Sequence, residues 1–177
     1  ACDAFAILKE EGLLETDEWP DKIGELIPEK IGSYPIHDPD GKYFGGALSG
    51  YGIMWNKDYL EAYRLDPPKV WPDLTAPAYH GHLAMSVPSR SGTTHLTVEA
   101  ILQGYGWAKG WEILFSMCGN MSVITERSFG VPQGVINGEF GIGVVIDFFG
   151  LSAEASGLPV EFVYPSFTPI GPARIGL

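Results

Sequence analysis

Positive charge is scarce in this chain: 11 Lys and Arg stand against 22 Asp and Glu in 177 residues, a formal charge of −11. A protein so acidic lacks the basic footprint that a phosphate backbone requires, so nucleic acid is not an expected partner. Cysteine is scarcer still. Cys2 and Cys118 show neither CxxC nor zinc-type spacing, and they read as a terminal thiol and a buried apolar side chain. Long apolar runs are missing too: the best, 141–151, is broken by Asp147, well short of the roughly 18 residues that cross a bilayer. No basic segment followed by an apolar stretch opens the chain, so no secretory leader is read in it. An intracellular protein, or a processed or trimmed piece, is expected.

What is present points to a folded domain. Apolar residues make up 45%, enough for a core, and 23 Gly with 14 Pro fall below the level of disordered sequence. Residues 4–14 read as a short helix ending at Gly12, and a polar, proline-broken stretch with little core of its own follows to Gly41. Tyr51-Gly52-Ile53-Met54-Trp55 reads as a strand, with Asn56 capping a helix over 57–65. A strand over 82–87 leads through a polar turn into a helix from about Thr93 to Gly104. Trp107, Trp111, Leu114, Phe115 and Cys118 form one stripe at helical spacing and predict a core-facing helix. Then come a strand stub at 123–125, a helix capped by Ser128 and running to Asn137, and the β-branched run 141–146, which suits a strand buried on both faces. A helix over 148–156 and a strand over 160–164 complete an alternation that predicts an α/β sheet.

The candidates for chemistry are few. Ser91, His95 and Asp147 are the residue types of a hydrolytic triad, but no GxSxG elbow accompanies them. His80-Gly81-His82 has no carboxylate or third histidine at ligand spacing and reads as a surface turn, so no metal is expected. There is no GxxxxGK[ST], and no GxGxxG follows a strand, so no cofactor is expected either. The turn Ser89-Arg90-Ser91-Gly92-Thr93-Thr94 is more informative. The first amides of the helix beginning there have no partners, the helix dipole favours negative charge, and Gly92, the hydroxyls and Arg90 all suit an anion. Capping by Ser or Thr alone explains the same residues. A second candidate, Thr125-Glu126-Arg127-Ser128, also joins a strand to a helix start, and surface pairing of Arg127 with a carboxylate competes with a ligand role. Asp147 follows a buried strand, where ligands bind in open α/β sheets; a structural hydrogen bond to a nearby loop competes equally.

Several segments taken together resemble the bacterial extracellular solute-binding proteins of ABC importers, in the branch that binds iron(III), phosphonates and sugar phosphates. They are Tyr51-Gly52-Ile53-Met54-Trp55-Asn56-Lys57, Trp71-Pro72-Asp73-Leu74, the block 88–95, Gly104-Tyr105-Gly106-Trp107, the block 134–141, Tyr164-Pro165 and Pro172-Ala173-Arg174. The resemblance implies a type II periplasmic-binding-protein lobe, a central mixed sheet flanked by helices, and a fragment of a two-lobed whole about twice as long. It assigns 1–49 to the end of the first segment of lobe 1, 50–165 to lobe 2 and 166–177 to the crossover back, with hinge crossings at 50–55 and 163–167. It further implies a periplasmic or membrane-associated extracellular, monomeric, non-enzymatic protein that passes a small anionic solute to an inner-membrane permease. Iron-binding members carry adjacent tyrosines where this chain has Phe148-Phe149; phenylalanine offers no donor, so a phosphate- or phosphonate-bearing solute is expected instead. The ligand set so expected is Ser89, Arg90, Ser91, Gly92, Thr93, Thr94, Thr125, Glu126, Arg127, Ser128 and Asp147. Ferric transport, or a ligand-sensing module of a transport system, is the alternative.

Overall fold

A computed structural model describes residues 4–16, 26–32 and 34–176. The chain forms two compact units, Gly50–Pro169 and a smaller one made of Ala1–Ser49 with Ile170–Leu177.

In the larger unit, a sheet is built from the second half of β3 (Tyr43–Asn56), β4 (Leu83–Ser86), β5 (Met121–Thr125), β6 (Ile142–Ile146) and β7 (Val160–Val163), in the order β5-β4-β6-β3-β7. β4 runs parallel to both β5 and β6, while β3 is antiparallel to β6 and β7. The sheet is therefore mixed, and the C-terminal ends of β4, β5, β6 and β7 all point to one edge. Tyr51, paired with Ile146, enters the sheet at that same edge. Helices follow three of these ends directly: α3 (Gly92–Tyr105) after β4, α5 (Gly130–Asn137) after β5 and α6 (Asp147–Ala155) after β6.

The period-2 alternation of the strands sorts their side chains into two cores. Ile53, Trp55, Leu83, Met85, Ile142 and Val144 face one way, onto Ile101 and Leu102 of α3, Ile113, Leu114 and Met117 of α4 (Trp107–Gly119) and the 3-10 turn Trp71–Thr75. Met54, Ala84, Val145 and Val160 face the other way, onto Val131 and Val135 of α5 and Ala153 of α6. The run at β6 is buried on both faces, as its composition predicts. Asn56 caps α2 (Lys57–Tyr63), its side-chain oxygen accepting from the Tyr59 amide at 3.0 Å while its amide group donates to Val135 O at 3.0 Å.

Two expectations fail on α4. Trp107 and Phe115 are 71% and 70% exposed, and Cys118 is exposed, not buried. The buried face carries Gly110, Ile113, Leu114 and Met117, roughly a quarter turn from the aromatic stripe. Gly110 decides this. A Cβ there would lie 2.9 Å from the Leu102 Cα, so the bare glycine lets α4 settle onto α3 at that point. Trp111 is partly buried against the core, and the exposed rings of Trp107 and Phe115 pack on it from either side.

The smaller unit holds α1 (Ala4–Glu10), the short pair β1 (Lys30–Ile31) and β2 (Tyr34–Pro35), the start of β3, and β8 (Ile170–Gly176), which pairs with β3. Among its described residues, Leu14 and Ile36 are the buried apolar side chains, and Lys9 bridges Asp38 and Asp40 at 2.5 and 2.7 Å. The N-terminal helix matches its prediction; β8 and the first half of β3 do not stand out in a stretch rich in Gly and Pro.

Gly52 gives a direct check on the β3–β7 register. A Cβ at this position would sit 2.1 Å from Val163 O and 2.6 Å from the Phe162 ring. Gly52→Ala should therefore cost about 1–3 kcal/mol through forced overpacking, measured by urea unfolding; an unchanged midpoint would show that the two strands do not approach this closely.

Candidate functional site

The C-terminal edge of the sheet gathers the sequence candidates. At the end of β4, the buried Ser86 hydroxyl meets the fully buried Thr94 hydroxyl at 2.6 Å, which pins the first turn of α3 to the strand it follows. Ser91 is the N-cap: its backbone is extended and its Oγ accepts from the Thr94 amide at 3.2 Å. The His95 amide donates to Ser91 O at 2.9 Å. Among the described residues, the amides of Gly92 and Thr93 have no partner, as the first turn of a helix dictates.

Three ties join this turn to the loop after β5. Val87 N donates to Thr125 O at 2.9 Å, Ser91 Oγ meets Ser128 Oγ at 2.6 Å, and Arg90 pairs with Glu126. The Arg90–Glu126 pair has both side chains more than half exposed, so it contributes little to stability; its effect is to offset the arginine charge at the rim. Thr125 Oγ1 donates to Arg127 O at 2.8 Å and closes its own loop. Arg127 is exposed and makes no ion pair with a described residue. Ser89 is exposed beside Arg90.

Ser128 is not the N-cap of α5, contrary to its expected role; Phe129 occupies that position and makes no side-chain cap. The Ser128 hydroxyl is turned across to Ser91, so the N-termini of α3 and α5 meet through two hydroxyl groups, each able to donate or accept.

Asp147 lies further along the same edge, at the start of α6. Its Oδ2 accepts from the Gly50 amide at 2.6 Å and from the Tyr164 hydroxyl at 2.9 Å, and its Oδ1 accepts from the Phe148 amide at 2.7 Å. One carboxylate thus ties the first residue of the larger unit to the end of β7. Burial, then the hydrogen bond to Asp147 and that carboxylate's charge, holds the Tyr164 phenol above its usual pKa. Three of the roughly four lone-pair positions of the carboxylate are used by these contacts.

The residue types of the hydrolytic triad are not assembled. The Ser91 hydroxyl is shared with Ser128 and the Thr94 amide, and the Asp147 carboxylate is taken by Gly50, Phe148 and Tyr164. His80 and His82 diverge, His80 to Gly119 O and His82 to the Tyr59 hydroxyl, each at 2.9 Å. A groove of about 450 Å³ lies elsewhere, against Leu96, Glu99, Ala100 and Gln103 of α3 and against Phe167; none of the candidate residues lines it. Sequence reading missed Ser86, Gly50 and Tyr164. A serine ending a strand and a glycine in the middle of one carry no local signal of the partners that the sheet brings them.

The tie at Asp147 is testable by a double-mutant cycle. Asp147→Ala strands the Gly50 amide and the Tyr164 hydroxyl and should cost about 1–3 kcal/mol, and Tyr164→Phe about 0.5–1.5 kcal/mol. Once Asp147 is gone, Tyr164→Phe should cost almost nothing in denaturant unfolding; fully additive losses would mean that the two side chains do not interact.

Comparison with known proteins places the chain in a family. Residues 3–166 match the family described as bacterial extracellular solute-binding protein. The chain is 35% identical over 161 residues to the phosphoglycerate transport regulatory protein PgtC of Salmonella typhimurium, across 91% of this chain and 38% of PgtC. Its fold is similar to that of the periplasmic binding protein AfuA of Actinobacillus pleuropneumoniae, solved with exogenous fructose-6-phosphate bound. That likeness has a TM-score of 0.79 at 22% identity and covers 94% of this chain and 52% of AfuA. Iron-bound HitA from Pseudomonas aeruginosa superposes at a TM-score of 0.63 and 21% identity, over 89% of this chain and 48% of HitA. The chain spans 38% of its curated relative's length and about half that of the structural neighbours. Its fold is that of a type II periplasmic binding protein, and the chain belongs to the bacterial extracellular solute-binding protein family.

Proposed function

We propose that the protein is the solute-capturing component of an ABC importer. It would bind a small phosphate-bearing solute between two lobes outside the inner membrane and deliver it to a permease without making or breaking a bond. Residues 50–165 would form lobe 2, with 1–49 ending the first segment of lobe 1 and 166–177 crossing back to it.

The observation that carries this reading is the meeting of the N-termini of α3 and α5 through Ser91 and Ser128, beside two unpartnered amides. Amides and hydroxyls that converge in this way suit a tetrahedral oxyanion, which takes several short donors at once. Gly92 and Thr93 would donate through their amides, and one of Ser91 and Ser128, whichever does not donate to the other, through its hydroxyl. Thr94 and Thr125 hold the two loops in place, each through an internal hydrogen bond. Ser89 lies at the exposed rim, and Arg127, also exposed, would supply charge that Arg90 shares with Glu126. Such local donors are needed because the net charge of −11 repels an anion at longer range. Asp147 would use its remaining lone pair to read a hydroxyl on the solute.

The relatives support a phosphate ester. The curated one is named for phosphoglycerate transport, and AfuA was solved with a sugar phosphate. Several neighbours hold iron, but Phe148 and Phe149 bring no donor atom to the end of β6. The word regulatory in the name of the curated relative favours a second reading, a sensor of the same solute. Deleting the gene separates the two: loss of uptake with the permease still present means capture, whereas loss of permease expression means sensing.

Gly92→Pro tests the anion site without breaking the helix. Proline is well tolerated at the first helical position and its missing N–H is one of the orphan amides, and the extended backbone of Ser91 suits a residue preceding proline. Calorimetry on the full-length protein should show binding to a member of a phosphate-ester panel. Gly92→Pro should weaken it roughly 10–150-fold, the value of one hydrogen bond to a charged group. Undiminished binding by the variant would reduce the turn to a helix cap.

A further inference from the structure

Three phenylalanine rings lie along the site edge, between the hydroxyl contact and the carboxylate. Phe129 immediately follows Ser128, and its ring meets that of Phe149 edge to face with centroids 5.5 Å apart; Phe149 meets Phe148 in the same way at 5.3 Å. The chain of rings thus starts one residue from the Ser91–Ser128 contact and ends one residue from Asp147. Phe149 is half-buried and braces both neighbours, whereas Phe129 and Phe148 are 60% and 64% exposed. Edge-to-face contacts fix ring orientation. The two outer rings are consequently held in place while their free surfaces face solvent, on residues that adjoin Ser128 and Asp147 in the chain.

Apolar surface clustered beside convergent polar groups is the usual composition of a small-molecule site, in which the polar groups fix one end of the ligand and the rings contact the rest. An inorganic anion or a fully hydroxylated open chain would gain nothing from two phenyl faces. We infer that the solute carries, next to its phosphate, a flat ring or unsaturated skeleton, and that Phe129 and Phe148 select it by stacking. This inference rests on the anion reading above and narrows it from phosphate esters in general to those with a flat face.

The test uses calorimetry on the full-length protein with inorganic phosphate, glycerol 3-phosphate and phenyl phosphate. Phenyl phosphate should bind at least tenfold more tightly than glycerol 3-phosphate. Phe148→Ala and Phe129→Ala should each weaken phenyl phosphate about five- to tenfold and leave glycerol 3-phosphate within twofold. Because both rings are exposed, melting temperatures should hold, and Phe148→Trp should keep the preference. Equal binding of the two esters by the native protein overturns the inference while leaving the anion site standing. So does an equal loss for both esters in the alanine variants, which would mean that the rings act through packing against another part of the protein. Failure of every phosphate compound to bind overturns the anion reading and this inference with it.

Discussion

Parallel pairing of β4 with β5 and β6 is the constraint on which the rest of the lobe depends. Strands that run the same way must end at the same edge, and a chain that turns straight into a helix at each end leaves three helix N-termini there. Each terminus carries unpaired amides and the positive end of a dipole. The antiparallel pairing of β3 and β7 adds two more residues to that edge, Gly50 where the chain comes in and Tyr164 where it leaves, and Asp147 joins them. The edge is polar because of topology, before any side chain is considered.

The side chains then divide the labour. Ser86 and Thr94 pin a loop to a strand, while Ser91 with Ser128 and Arg90 with Glu126 pin one loop to the other. A hydroxyl is small enough to bridge two loops without pushing them apart, and it can both donate and accept, so the contact between two serines uses one proton and leaves the other hydroxyl's proton available. Arg90 is drawn toward a carboxylate at the rim, which moderates the positive charge that the turn would otherwise present. These arrangements link the packing of the sheet to the capacity of its edge to hold a negatively charged group.

The sequence was most legible where a single element answers to its own residues. The cap at Asn56, the turn into α3 at Ser91-Gly92 and the apolar run of β6 were all readable because their causes lie within a few positions. It misled where two elements compete. The stripe Trp107-Trp111-Phe115 has the spacing of a buried face, yet Gly110 determines which face of α4 meets α3, because its missing side chain lets the backbones come close. A hydrophobic pattern states that a face is apolar and says nothing about whether another element will cover it. Ser128 misled for a related reason: a serine before a helix usually caps it, but here a second serine lay within reach.

Local chemistry in the sequence was enough to determine the alternation of strands and helices, the polar turns that follow β4 and β5, the absence of donor atoms at 148 and 149, and the likeness to a solute-binding family. Those properties depend on residue identity and near spacing, which survive without a fold. Tertiary structure alone decided that Ser91 meets Ser128, that Asp147 reaches across 97 positions to Gly50, and which rings stay in water. Such contacts are set by strand order and direction, and these follow from how the whole sheet buries its two faces.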